Sequence, residues 1–218
     1  MSYRQRLRDV VLGAAVMSLA ATTSGAQEAG AIERLHETRA CPECDLSYAL
    51  LADAELTGAN LVEANFYLAD LRRADLSDAN LENAAMSGAL LSGAVLTSAN
   101  LVEANLQAAD LRNTTLKGAR LSGAKLRRAT LDGSDLEQAD LREADLRSAT
   151  FASANLKEAD LSGARLAGAD LRDANLENAN LRGADLRRAN LSRAKMTGAN
   201  LEEARLKGAV MPDGSVHD

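Results

Sequence analysis

Cys41 and Cys44 stand three apart in the segment ACPECDLS, and they are the only cysteines of the 218-residue chain. That spacing suits four chemistries: a disulfide, two packed thiols, a redox-active pair or half of a metal site. A structural zinc site needs four ligands, and only His36 and His217, far apart in sequence, are left to complete one. A redox-active CxxC sits in a βαβ context, which is absent here. In an oxidising compartment the pair reads as a disulfide. The loop it closes is tiny, so chain entropy adds only about 2 kcal/mol, and its use is local. Carboxylates are plentiful, with 31 Asp and Glu. Catalytic carboxylates need a cleft that perturbs them, and these fall on regularly spaced, outward positions. There is no G-x-S-x-G, no Gly-rich phosphate loop and no H-E-x-x-H. The sequence therefore predicts no enzyme, no small-molecule substrate, no metal and no cofactor. A formal net charge of −6 argues against direct nucleic-acid binding, which wants a basic balance.

The residues around these groups repeat. From Leu46, every fifth residue to Met211 is Leu, Met or Phe, which makes 34 centres without a slip. Two positions before each centre stands Ala in 31 cases, the exceptions being Cys44, Thr114 and Ser134. Ala, Leu, Arg, Glu and Lys are helix formers. On a helix, however, a step of five turns about 140°, and the centres would make no apolar stripe. In extended chain, residues two apart share a side, so Ala and the centre both point inward. The next Ala is three residues on, which requires one bend per unit. Gly at Gly58, Gly88, Gly93 and other positions two after a centre fits a turn with positive φ. A chain bending every five residues winds into a coil whose turns stack as parallel ladders, since no unit can bury its Leu alone. Pro42 and Pro212 bracket the array, and no proline lies inside it, where it would break a ladder bond.

The pattern A-(D/N)-L-x-x, running from Cys44 to about Pro212, resembles the pentapeptide-repeat family. The resemblance implies an all-β fold, a right-handed quadrilateral parallel β-helix with four units per coil. Thirty-four units then make about eight and a half coils, a rod roughly 40 Å long at the spacing of stacked strands. A CxxC followed by D-L-S resembles the entrance of exported members, and Met211-Pro-Asp-Gly a common exit. Some members resemble B-form DNA in size and charge and bind DNA topoisomerases. That implies an alternative function here, a DNA-mimicking gyrase-binding protein. A third is an accessory module of a periplasmic complex.

Arg4, Arg6 and Arg8, the apolar run Val10–Ala21, and Ser24 and Ala26 at small-residue positions form a secretory leader. The expected divisions are 1–26, a cleaved signal peptide; 27–43, a capping helix and CxxC segment; 44–212, the solenoid; and 213–218, a tail. Cleavage removes three Arg and one Asp, leaving −8 and no transmembrane segment, and the chain is expected to be periplasmic or secreted.

Sorting outward residues by the implied four-unit coil gives one uneven face. It carries Lys125, Arg127, Arg128, Arg147, Arg165, Arg187, Arg188, Arg205 and Lys207 against Asp45, Asp145 and Asp185, a net +6. This is the candidate binding face for an anionic surface or a protein partner. The bland alternative is an uneven solvated surface. Tyr48, Tyr67 and Leu68 also point outward, either under the capping segment or as an exposed patch. Leu90 and Val95 take the usual Asp/Asn slot.

Overall fold

The computed structural model describes residues 24–218, excepting the side chains of residues 24–29 and His36. The charged and apolar runs of the expected leader lie outside the described residues. Helix α1, Ser24–Thr38, ends in a left-handed residue, Arg39 (φ 53°), whose N–H donates to Leu35 O at 2.9 Å as in an αL cap. From Ala40 to Val210 the chain is a right-handed quadrilateral parallel β-helix. Single-residue parallel bridges join each residue before a centre to the one twenty further on: Ala40 to Asn60, Asp45 to Asn65, Leu50 to Asp70, Glu55 to Asp75, and so to Asn190 with Val210. Twenty residues per coil is four units, as the family resemblance implies. We number the ladders from Asp45: the first holds Asp45 to Arg205, the second Leu50 to Val210, the third Glu55 to Lys195, the fourth Ala40 to Asn200.

One unit shows how five residues close a side. Ala49 N–H donates back to Leu46 O at 3.1 Å, which makes the corner. Leu46 N–H reaches Asn65 O at 2.7 Å, Tyr48 N–H reaches Tyr67 O at 2.8 Å, and Asn65 N–H reaches back to Cys44 O at 2.8 Å, all between coils. The N–H after the centre has no such partner. Ser47 N–H is taken instead by Asp45 Oδ1 at 3.1 Å. This Asx turn is why Asp or Asn precedes the centre: its side chain satisfies the one donor that the ladders miss.

The corner needs positive φ two residues after the centre. Every unit from Tyr48 to Gly208 has it, whether the residue is glycine or not. The glycines that pointed to this turn do sit there, and the corner forms equally at Asp53, Glu63 or Arg188, with φ of 58–59°. An L-residue there costs about 1–2 kcal/mol, and the ladder bonds on both sides hold it in place. Beside Leu68, a Cβ on Gly88 would lie 2.6 Å from Leu68 Cδ2, so a larger residue there would require the exposed Leu68 side chain to turn aside.

The core is the bore of the rod, filled by the Ala and Leu series, with Phe66, Phe151 and Met86 among its larger members. Thr114 and Ser134 are buried one coil apart in the Ala series. Each hydroxyl donates to the carbonyl that closes its own corner, Leu111 O at 2.7 Å and Leu131 O at 2.6 Å, so burial leaves neither donor unmet.

The two ends differ. Ala31 and Leu35 of α1 are buried in the core, with Ile32 packed beside them. At the other end Met196, Leu201, Leu206 and Met211 are only partly buried. The tail turns back and pairs Val216 antiparallel with Val210, covering the edge of the second ladder, and His217 O accepts the corner N–H of Gly208 at 2.7 Å.

Candidate functional site

The turn geometry sorts surface residues into flat ladders and projecting corners. A corner consists of the two residues after each centre, stacked coil upon coil. The structure divides the nine predicted cations between two rows. Lys125, Arg165 and Arg205 lie in the first ladder, alternating with Asp145 and Asp185. Arg127, Arg128, Arg147, Arg187, Arg188 and Lys207 lie on the corner between the first and second ladders.

Within the first ladder the charges are largely answered. Arg147 Nε meets Asp145 Oδ1 at 2.7 Å and Arg165 Nη1 stands 3.8 Å from the same carboxylate. Arg187 Nε meets Asp185 Oδ1 at 2.7 Å, with Arg205 Nη1 at 3.9 Å. Burial pushes the Asp145 carboxyl up, but hydrogen bonds from Arg147 and the charges of Arg147 and Arg165 more than offset it and hold it below its ordinary range. The hydrogen bond from Arg187 does the same at Asp185. Lys125, Arg127, Arg128, Arg188 and Lys207 have no ion-pair partner among the described residues.

The corner is cleaner than the face expected from sequence. From Ser47 to Gly208 it contains no Asp or Glu at all, and its six cations all stand in its C-terminal half. The next corner, on the far side of the first ladder, carries seven glutamates between Glu43 and Glu203 against Arg142 and Arg182. Sorting by whole units mixed the corner with the ladder and hid this. The signal was legible, but only with corner and ladder positions separated.

The N-terminal half of the same corner is apolar. Tyr48 is 61% exposed, and Tyr67 and Leu68 are each more than a third exposed. Helix α1 therefore leaves them open, which rules out the reading that the cap covers them. The Tyr48 and Tyr67 rings meet edge to face, 5.7 Å apart. Leu90 and Leu50, the latter 59% exposed, adjoin them in the second ladder. Leu50 was missed in the sequence, although it too occupies an Asp/Asn slot.

Cys41 and Cys44 are joined as a disulfide, with the Arg34 guanidinium of α1 against Cys44 Sγ. The link lies where the helix enters the first coil. Among the described residues no group of three or more His, Cys, Asp or Glu is placed to hold a metal, and no helix is long and apolar enough to cross a membrane.

The family model of pentapeptide repeats matches the chain in eight copies over residues 43–78, 74–113, 104–142, 139–178 and 174–211. Among solved structures, HetL, a pentapeptide repeat protein involved in heterocyst differentiation regulation from the cyanobacterium Nostoc sp. strain PCC 7120, is 35% identical. The match covers 86% of this chain and 98% of HetL, with a TM-score of 0.54. The pentapeptide repeat protein Rfr23 from the cyanobacterium Cyanothece 51142 is 29% identical over 87% of this chain and 98% of its own, with a TM-score of 0.25. QnrB1, a plasmid-mediated fluoroquinolone resistance protein, is 19% identical over 76% of this chain and 88% of its own, with a TM-score of 0.49. No curated protein matches significantly.

Proposed function

The chain belongs to the pentapeptide-repeat family, and from that premise we propose that it is an exported, non-enzymatic scaffold that docks an anionic surface along the corner between its first and second ladders. One observation carries the reading: a molecule of net charge −6 has a corner without a single carboxylate. Stacked coils stand about 4.8 Å apart, so neighbouring cations lie within a Debye length of about 8–10 Å and act jointly. Export is supported by the leader-like sequence before Gln27 and by the Cys41–Cys44 disulfide, a bond of oxidising compartments. The residues through which α1 holds the core, Ala31, Ile32 and Leu35, all follow that point.

The test is a polyanion resin. Parent protein should be retained at low salt and elute as salt rises. Arg127→Gln, Arg128→Gln and Arg188→Gln together should abolish retention with an unchanged circular dichroism spectrum. Each of these side chains lacks an internal carboxylate partner, so the change frees no buried acid. Retention unaltered by the triple change, or none by the parent at low salt, refutes the docking role.

A further inference from the structure

The corner is half basic and half apolar, and a soluble polyanion has no use for the second half. Tyr48, Tyr67 and Leu68 continue the line of the cations, and Leu50 and Leu90 flank them. Two carboxylates adjoin these apolar residues: Asp45, in the first ladder, accepts from Ser47 and Asn65, and Asp70, in the second, accepts from Nε and Nη2 of Arg72 at 2.8 and 2.6 Å. The latter bonds draw Arg72 onto the Asp70 carboxylate.

We propose that the partner of this corner is a lipid bilayer with anionic headgroups, the rod lying along it with the Tyr48–Leu68 end set into the interface and the Arg127–Lys207 end on the headgroup charge. The inference rests on the docking role proposed above and supplies its partner. Tyrosine is amphipathic, with a ring that prefers the headgroup level and a hydroxyl that stays wet. Leucine gains by leaving water. Neither apolar contact nor a basic patch alone gives firm attachment to a membrane, whereas the two together do. Both signals lie on one straight line here, because each corner residue stacks on the one twenty before it. The glutamate-bearing corner next to it is repelled by the same headgroups, so the rod has one preferred roll angle.

The chain has no tryptophan and three tyrosines, so in full-length protein carrying Tyr3→Phe the tyrosine emission comes from Tyr48 and Tyr67 alone. The probes are vesicles of phosphatidylcholine with about one third phosphatidylglycerol, with and without brominated acyl chains. The parent should bind and show quenching by the brominated lipid, and binding should fall with salt. Leu50→Asn, Leu68→Ser and Leu90→Asn together should weaken vesicle binding at least about tenfold and leave elution from polyanion resin unchanged. Asn is already common in the ladder slot, and serine already adopts positive φ at Ser98, Ser148 and Ser153, so this variant keeps the fold. The arginine triple variant should lose both vesicle and resin binding. Resin binding together with vesicle binding that shows no quenching, or that ignores the leucine changes, overturns the bilayer and leaves the docking role standing. Loss of both in the parent overturns the two together, as does equal binding to pure phosphatidylcholine with no resin retention.

Discussion

Asn175 shows what the residue before each centre does. It accepts Glu177 N–H at 3.1 Å, and its amide donates to Asn155 one coil back at 3.2 Å. Asn175→Ala should therefore cost about 1 kcal/mol, read as a shift in denaturant midpoint. Aspartate in the same slot adds an acid-sensitive bond. Asp70, Asp110, Asp140 and Asp170 each accept hydrogen bonds from the arginine two residues on, and these hold their carboxyls below the ordinary value. In the unfolded chain the same groups titrate near about 4. As pH falls, the unfolded state takes up protons first, so this stabilisation is complete above about pH 4 and is lost as pH falls through the folded values. The melting temperature should be flat from about pH 5 to 8 and fall in acid, and changing all four to Asn should flatten the acid limb. The preference for Asp or Asn was visible in the sequence. Its cause was not, because the donor it satisfies is known only once the ladder bonds are drawn.

At the scale of the coil, legibility followed the period. Ala139 and Leu141 were assigned inward from spacing alone, and both are buried in the bore, while Arg142 stands outside on Asp140 at 2.7 Å. Leu141→Ala should cost about 2–5 kcal/mol, and Ala139→Arg more, since it forces a charge into packed apolar space. Arg142→Ala, which breaks an exposed pair, should stay within about 1 kcal/mol. Equal costs in denaturant titration would contradict the inward and outward assignment. What the period could not give was the length of flat chain between corners. Each ladder rung is one residue long, because the turn consumes the rest of the unit. That is also why a surface read in five-residue blocks smeared a carboxylate-free corner into a mixed face.

For the whole molecule, the arrangement of partners on the outside is set by arithmetic along the chain. The coil holds twenty residues and the unit five, so a substitution leaves the line of Tyr48, Tyr67, Arg127 and Arg188 straight. Removing one unit does not. Deleting residues 94–98 would join equivalent units and preserve every kind of ladder bond, yet rotate all that follows by a quarter turn about the axis. The tyrosines would then sit in line with a different corner from the arginines. Deleting residues 94–113, a full coil, would shorten the rod by about 5 Å and restore the alignment. Both deletions should fold with similar midpoints. Only the five-residue one should separate the two halves of the docking line, detected as vesicle binding lost while resin retention persists. Insertions and deletions in such a chain thus act as a gear: they are silent in multiples of twenty, and in any smaller multiple of five they reassign which surfaces face together.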